Sequence, residues 1–220
     1  MQKEIIITID GPAGAGKSTV ARAVAKKIGV PYLDTGAIYR SVAYICDKDG
    51  ISPNDDVALD NALKKFKIVM TTDKVFANDI DVTKEIRTHA MDQLVSPYAA
   101  NATVRANLLD LQRSQAVNGL VADGRDMGTC VFPEATLKIF LTATAETRAQ
   151  RRFLERQAKG ESPDFDEILK DVIRRDNYDM TREVAPLKPA HGAWIIDSSD
   201  MTQDEVTEQI VAVAKKLMNN

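Results

Sequence analysis

Residues Glu4–Thr19 read EIIITIDGPAGAGKST, and this stretch decides what the rest of the chain must build. Its largely apolar run, Ile5–Ile9, predicts a buried strand, and the segment behind it fits the spacing G-x-x-x-x-G-K-[ST]. Residues 19–28 then predict a helix, since they are rich in Ala and Lys. A strand, a glycine-rich turn and a helix in this order predict a phosphate-binding loop, because glycines let backbone amides point inward at anionic oxygens.

The loop predicts a nucleoside triphosphate site that also uses Mg²⁺. We expect Lys17 to reach the β- and γ-phosphates and Ser18 to ligate the metal ion through its hydroxyl. The alternative is an ordinary glycine-rich turn between a strand and a helix, which the flanking pattern disfavours. The residues predicted to bind the triphosphate are Gly11, Pro12, Ala13, Gly14, Ala15, Gly16, Lys17, Ser18 and Thr19.

Composition excludes several classes of protein. The net charge is −3, so no basic field indicates a nucleic-acid partner. Two cysteines, Cys46 and Cys130, form no C-x-x-C pair and predict reduced thiols in a reducing compartment. No apolar run approaches the roughly 20 residues of a membrane span, and no signal-peptide pattern precedes the first strand. We therefore expect a cytoplasmic monomer that binds neither nucleic acid nor membranes.

The alternation of strand and helix patterns predicts an α/β fold. A parallel five-stranded sheet in a three-layer core is expected from runs at 4–10, 31–34, 119–123, 137–141 and 193–197. Residues 67–82 break the alternation with short β-type runs and a turn at Asn78-Asp79, which predicts a small insertion with antiparallel strands. Thr83 is expected to cap a short helix, and Ser96-Pro97 to interrupt the next one. The predicted division of residues 1–220 is a core of 1–62 and 97–220, an inserted segment of 63–96 and a lid of 148–162.

Charged residues supply the other candidate groups. Asp123 ends a predicted core strand, where it would either hold the Mg²⁺ shell as a Walker B aspartate does or simply cap a loop. Arginines at spacings i, i+3, i+4 and i+8 predict one basic helix face, which is either a lid over phosphates or a solvated surface. These arginines are Arg148, Arg151, Arg152 and Arg156.

No catalytic base is evident. The only histidines, His89 and His191, lie in no nucleophile–base arrangement. A sugar hydroxyl acceptor would favour a base, whereas a phosphate monoester, with a second pKa near 6, is already a nucleophile at neutral pH. The lack of an evident catalytic base is therefore compatible with a nucleoside monophosphate acceptor.

Five segments together resemble the bacterial cytidylate kinase family of P-loop nucleoside monophosphate kinases. They are GPAGAGKST, LDTGAIYR, EIRT, ADGRDMGT and RRDNYDMTREVAPL, and the resemblance covers nearly the whole chain. The first is shared by many enzymes, whereas DTGAIYR, DGRDMGT and the string RD-x-x-D-x-x-R-x-x-APL are more specific. The resemblance implies a P-loop kinase core with an inserted CMP-binding segment and a helical lid, acting on ATP and on CMP or dCMP with Mg²⁺.

The resemblance also implies roles for individual residues. Arg40, Arg125 and Arg182 would bind the acceptor phosphate. Thr35, which stands where many members of the family have Ser, would also bind the substrate. Ser96, Arg105 and Asp126 would read the cytosine. Arg175 and Asp179 would contact the sugar. The residues expected to stabilise the transferring group are Lys17, Arg125, Arg152 and Arg182, and those expected at the metal ion are Ser18 and Asp123.

The cytosine chemistry agrees with these implied roles. Asp126 can accept from the N4 amino group, whereas uracil presents an oxygen there, and an unpaired buried polar group costs about 1–3 kcal/mol. Structural alternatives stay open: Asp126 could pair with a neighbouring arginine, and Arg175 with Asp179 could form a surface pair. Other functions to be tested are a P-loop kinase for AMP, UMP or shikimate, or a nucleotide-dependent switch, although no N-K-x-D guanine signature is present.

Overall fold

The computed structural model describes residues 4–219 as an α/β protein. The chain divides into two compact units. We call the part up to Leu33 together with the part from Gln115 onward the sheet unit, and Asp34–Ser114 the inserted unit. The first three residues and residue 220, which the predicted division of the chain included, lie outside the described part. No helix in the described part is long and apolar enough to cross a membrane.

Helices and strands alternate over much of the described part of the chain. In chain order they are β1 Ile6–Asp10, α1 Lys17–Ile28, β2 Tyr32–Asp34, α2 Thr35–Lys48, α3 Asp56–Leu63, β3 Ile68–Met70, β4 Val75–Ala77, β5 Ile80–Asp81, a 3-10 turn Glu85–Arg87, α4 His89–Ala100, α5 Ala102–Arg113, β6 Leu120–Gly124, a π-helical turn Met127–Val131, β7 Leu137–Thr142, α6 Ala145–Ala158, α7 Phe165–Thr181, β8 Trp194–Asp197 and α8 Gln203–Asn219.

The sheet unit is organised around the five-stranded parallel sheet that the sequence predicted, and the strand order is β2-β6-β1-β7-β8. Its central strand β1 is apolar because both faces are covered, and Ile7 and Ile9 are fully buried. Helices α1 and α8 pack against each other and contribute to the same core through Val24 and Ile210. The register places Asp10 opposite Gly124, so the loops that leave β1 and β6 start side by side at the carboxyl edge of the sheet.

The inserted unit contains a small antiparallel sheet, β3-β4-β5, as predicted. Ala77 pairs with Ile80, and the two residues between them, Asn78 and Asp79, have positive φ values of 47° and 65°. This is the backbone of a two-residue hairpin turn, which Asn and Asp tolerate better than other side chains. The sheet buries Val75 and Ala77 in a core shared with α2.

Two local predictions in the inserted unit are wrong. Pro97 lies inside α4 instead of interrupting it, because it is close to the carboxyl end of the helix and the backbone can lose one hydrogen bond there. Thr83 does not cap the short helix, which begins after Lys84; its hydroxyl donates to Asp81 and accepts from the Val75 amide. The side chain of Thr83 thus closes the small sheet instead.

The inserted unit is wider than the segment 63–96 that the sequence indicated. Helix α2 packs on α4, and α3 packs on α5, so the elements on both sides of that segment join it in one compact unit. The functional boundaries, with the substrate-binding segment at 63–96 and the lid at 148–162, stay predictions.

Candidate active site

The glycine-rich loop connects β1 to α1 and depends on two glycines in particular. Gly11 has φ of 149°, and a Cβ atom there would stand 1.9 Å from the carbonyl oxygen of Leu141. Gly16 is left-handed, with φ of 85°, and is the N-cap of α1 without a side-chain hydrogen bond. The first amides of α1 therefore receive no side-chain cap from that residue and face the loop, which is the arrangement that binds phosphate.

Lys17 is the first residue of α1 and is only 6% exposed. Its ammonium group donates to the carbonyl oxygen of Pro12 at 2.7 Å, so the side chain folds back across the loop. Burial holds the pKa of Lys17 well below its usual value, and the nearby Arg125 acts in the same direction, whereas Asp123 opposes the shift. An anionic ligand in the loop would raise the pKa of Lys17 again, because its negative charge would stabilise the buried ammonium.

Ser18 and Asp123 come together at the start of the same helix. The Ser18 hydroxyl donates to one carboxylate oxygen of Asp123 at 2.8 Å, and the Tyr32 hydroxyl donates to the other at 2.8 Å. Hydroxyl and carboxylate oxygens are the ligands that Mg²⁺ prefers, and this ion usually keeps several waters beside one or two protein ligands. The pair fits the ion predicted from the sequence, with Tyr32 orienting the carboxylate.

Four of the predicted acceptor residues form one cluster, with Arg125 and Asp126 in the turn after β6 and Asp179 and Arg182 at the carboxyl end of α7. The Arg125 Nε atom donates to Asp179 at 2.9 Å, and Arg182 lies 3.8 Å from both Asp126 and Asp179. Asp126 is 2% exposed. Burial raises the pKa of Asp179, but Arg125 and the other arginines outweigh it and hold this pKa below its usual value. The two carboxylates therefore have cationic partners, and the arginines are oriented by them.

Arg182 is positioned by a strained loop that the sequence did not indicate. Both its Nε and Nη2 atoms donate to the carbonyl oxygen of Ala185, at 2.8 and 2.6 Å. Ala185 has φ of 49°, a left-handed value that costs energy for a residue with a Cβ atom. Arg175, on α7, is half-buried, and its charge helps to lower the pKa of Asp179. Its role at the sugar stays a prediction.

Asp10 is a site residue that the sequence reasoning missed. Its carboxylate is 3% exposed and accepts hydrogen bonds from the backbone amides of Met127 and Gly128 at 2.8 and 2.7 Å. Burial raises the pKa of Asp10 to about 7, although the two amides act in the opposite direction. Asp10 thus ties the donor loop to the turn that bears Arg125 and Asp126. The available signal was an ionisable residue at the end of an otherwise apolar strand.

The arginines of α6 do not form one uniform basic face. Arg148 is 4% exposed and makes a two-bond pair with Asp176, at 3.1 and 2.5 Å. It also donates to the carbonyl oxygens of Ala143 and Ala13, at 2.9 and 3.0 Å. Arg148 therefore links α6 and α7 to the donor loop.

The remaining arginines of α6 have different surroundings. Arg151 donates to Ser198, Arg156 pairs with Glu161, and Arg152 is half-buried. The interpretation of all four as a solvated surface is wrong for Arg148. The role of Arg152 at the transferring group stays a prediction.

Within the inserted unit, α2 positions Thr35 and Arg40. Asp34 is the N-cap of this helix and accepts from the Ala37 amide at 2.8 Å. Its other oxygen accepts from Arg87 at 2.5 Å, and Arg40 pairs with Asp92 at 2.7 Å. Burial raises the pKa of Asp34, but Arg87 and Arg40 outweigh it and lower the pKa below its usual value.

The predicted base-reading residues of the inserted unit lie on α4 and α5. Arg105 donates to the carbonyl oxygen of Ala99 at 2.8 Å, and its guanidinium stacks 5.3 Å from the ring centre of Tyr39. Ser96 is half-buried on α4. Asp126, the third predicted reader, belongs to the sheet unit.

Comparison with known proteins identifies the family. The family model described as cytidylate kinase matches residues 7–216. A cytidylate kinase of Listeria innocua is 45% identical over all of both chains, and one of Mycobacterium leprae is 43% identical over 97% of this chain and 96% of its own. A gluconokinase structure from Sinorhizobium meliloti shares the fold, at 15% identity and a TM-score of 0.51, covering 100% of this chain and 97% of its own. The resemblance read from the motifs is thereby confirmed, and the chain belongs to the cytidylate kinase family.

Proposed function

We propose that the chain transfers the γ-phosphoryl group of ATP to CMP, and also to dCMP, giving ADP and the nucleoside diphosphate. One observation carries the proposal. The end of β6 holds Asp123 on the Ser18 hydroxyl, and the turn that follows β6 holds Arg125 on Asp179 and buried Asp126 near Arg182. Because β6 pairs with β1, this turn emerges next to the donor loop. Phosphoryl transfer needs donor and acceptor groups in such proximity.

The donor loop would hold ATP through backbone amides and Lys17. Phosphoryl transfer asks a protein for position and for positive charge around the transferring group, with little covalent chemistry. The Lys17 ammonium is desolvated, so it would interact more strongly with an oxygen anion there than it would in water. Binding of ATP would replace its bond to Pro12 with bonds to the β- and γ-phosphates.

The acceptor would bring its own nucleophile. A phosphate monoester has a second pKa near 6, so one of its oxygens can attack at neutral pH without a base. Arg125 and Arg182 in the sheet unit, and Arg40 in the inserted unit, would bind that phosphate. Their roles rest on the family motifs and on their charge, and each arginine is already held by a neighbouring oxygen.

Asp126 would select cytosine. Its buried carboxylate is an acceptor, which suits the N4 amino group of cytosine and opposes the O4 oxygen of uracil. Arg105 and Ser96 would donate to the acceptors of the base, and Thr35 would also contact the nucleotide. Arg175 and Asp179 would contact the sugar.

Mg²⁺ would be held by Ser18 and Asp123. Their two oxygens leave most of the coordination shell to water and phosphate. When bound, the ion supplies charge that neutralises the phosphate oxygens. The role of the chain is to orient the carboxylate, through Tyr32, so that one oxygen faces the triphosphate.

We also propose that the protein acts in the cytoplasm as a monomer, with ATP and CMP or dCMP as its small-molecule partners. Cys46 and Cys130 are both free thiols, which suits a reducing compartment.

The direct test is a coupled assay of ADP release with ATP, Mg²⁺ and a panel of acceptors. We expect strong stimulation by CMP and dCMP, and weaker stimulation by UMP and AMP. If ATP is consumed no faster with cytidine nucleotides than in buffer alone, the proposal is wrong. Shikimate belongs in the same panel, because its stimulation would identify a different acceptor class.

A further inference from the structure

Arg40 holds an anionic partner on only part of its guanidinium. Its Nη2 atom lies 2.7 Å from the Asp92 Oδ1 atom, and both side chains are about one-fifth exposed, at 20% and 19%. Its Nε atom is buried and has no hydrogen-bond partner among the residues that the structure describes. A buried N–H without a partner is costly, so its retention calls for an explanation.

The two nitrogen atoms belong to the same edge of the guanidinium plane. Nε and Nη2 together form a fork that matches two oxygens of a phosphate or carboxylate. A single oxygen of Asp92 accepts from Nη2, and the Nε–H group has no acceptor among the described residues. The edge therefore has the capacity for a two-oxygen anion and is only half satisfied.

The surroundings keep this cluster neutral. Arg87 pairs with Asp34, and Arg40 pairs with Asp92, so the two cations are matched by two carboxylates inside one unit. An incoming phosphate therefore meets cations that are already compensated, and Asp92 stands on the very edge that the phosphate would use. Asp34 also caps α2, and Asp92 lies on α4.

We propose that Asp92 is a stand-in ligand for Arg40 that competes with the phosphate of the acceptor nucleotide and so lowers the affinity of the site for it. This inference rests on the proposed function, in which Arg40 binds that phosphate. The acceptor phosphate displaces the Asp92 oxygen and takes both Nε and Nη2. Asp92 thus keeps the arginine oriented and shielded while the acceptor is absent, and sets how much acceptor is needed to fill the site.

Competition of this kind has a definite consequence for affinity. When the binding-competent form is only a fraction of the population, the apparent dissociation constant rises by the inverse of that fraction. A pair that is closed for most of the time therefore weakens acceptor binding by roughly three- to tenfold. Removing the carboxylate must tighten binding, which is the opposite of what damage to the site would do.

The test is the Asp92→Asn variant, which preserves shape and removes the charge. We expect the KM for CMP, and the dissociation constant for CMP measured by calorimetry, to fall roughly three- to tenfold, with the KM for ATP unchanged. The matched control is Asp60→Asn, in the same unit, which breaks a more exposed pair with Lys64. That control is expected to leave both constants as they are.

Two further outcomes make the inference separable from the proposed function. If the wild-type protein does not phosphorylate CMP at all, the proposed function fails and the inference falls with it. If the wild type is active but Asp92→Asn binds CMP equally or more weakly, the inference alone is overturned. The Asp92→Ser variant repeats the measurement with a small side chain, and its tighter binding would support the same competition should the Asn variant fold poorly.

Discussion

The cationic side chains of the sheet unit and of the inserted unit are held in different ways. In the sheet unit, Lys17 and Arg148 are almost fully buried and bonded to fixed backbone oxygens, and Arg148 also to Asp176. In the inserted unit, Arg40 has one carboxylate oxygen and a buried Nε without a partner, and the Arg87 side chain is 44% exposed. The cations at the donor loop are therefore fixed before a ligand arrives, whereas Arg40 in the inserted unit retains bonding capacity for one.

The difference follows from the frameworks on which the two sets are mounted. The donor loop leaves the central strand of a five-stranded sheet, with a neighbouring strand on each side. The small sheet of the inserted unit has strands of two or three residues. The ion pair of Arg40 and Asp92 lies outside that sheet, on α2 and α4. Rigid support makes a preorganised phosphate cradle possible, because it fixes the dipoles before the ligand arrives.

The largest expected effect is on stability and comes from Arg148. Replacing it as Arg148→Met leaves Asp176 as a buried charge without its guanidinium partner, and removes a donor from the carbonyl of Ala13. Breaking a buried ion pair from one side typically costs about 3–5 kcal/mol. We expect a loss of that size in the free energy of unfolding measured with urea.

The control for that loss is Arg156→Gln. Arg156 lies on the same helix as Arg148 and makes a more exposed ion pair with Glu161. Exposed pairs contribute about 0–1 kcal/mol, so this variant is expected to unfold almost as the wild type does. Equal losses in the two variants would mean that the donor loop is not supported by Arg148, and the contrast between the units would weaken.

Lys17→Ala tests the donor side in catalysis. Removing one preorganised donor to a developing oxyanion commonly reduces kcat by about 10²–10³. We expect at least this reduction in the coupled assay, with the fold retained by circular dichroism. Lys26→Ala, at an exposed position of the same helix, is the matched control. A Lys17→Ala variant that keeps most of its turnover would show that the buried ammonium is not used.

Asp10 allows a test by pH, because its pKa is raised by burial to about 7 from the usual 3.8. Raising the pKa of a carboxyl favours its protonated form in the folded state. The stability it contributes is therefore present below the unfolded pKa and is lost as the pH rises through the folded pKa. We expect the free energy of unfolding of wild type minus that of Asp10→Asn to fall between pH 4 and 7, by at most about 1.4 kcal/mol per pH unit.

The matched comparison is Asp81→Asn in the inserted unit. The pKa of Asp81 is lowered to about 2, through hydrogen bonds from Thr83 and Lys74, so its contribution is lost only as the pH falls below its unfolded value. The wild-type-minus-variant difference should thus rise with pH below about 4 and be flat above. A difference for Asp10 that is also flat from pH 4 to 7 would contradict the burial of its charge.

Asp126→Ala is expected to act on selectivity. The change removes an acceptor for the amino group of cytosine, so the KM for CMP should rise and the preference for CMP over UMP should fall by roughly tenfold. The measurement is relative kcat/KM for the two nucleotides. The control is Asp200→Ala, an exposed position in the same unit. An unchanged ratio would indicate that Asp126 serves only as the counter-ion of Arg182.

The sequence predicted the five-stranded sheet, the hairpin at Asn78-Asp79 and the donor loop, because each rests on local signals: apolar runs, turn residues and fixed glycine spacing. It missed Asp10 and Asp92, and it did not anticipate the buried pair of Arg148 with Asp176, since the partners are distant in the chain or on a neighbouring helix. Pro97 was misread for a related reason: a proline near a helix end is tolerated when packing holds the helix together. Local pattern thus defines elements, while long-range ion pairs depend on the folded arrangement.

The smallest effect concerns the hairpin turn that the sequence predicted. Asp79 has φ of 65°, a conformation that glycine adopts without steric cost. Asn-Gly is a favoured pair for such two-residue turns, so Asp79→Gly should stabilise the hairpin, although the greater freedom of glycine in the unfolded chain offsets part of the gain. We expect an increase of about 0.5 kcal/mol, seen as a small rise in Tm. Asp73→Gly, at a position without positive φ, should bring no increase. If both variants are destabilised alike, the turn of the inserted unit is not strained at Asp79, and its stability depends instead on the packing of Val75 and Ala77 under α2.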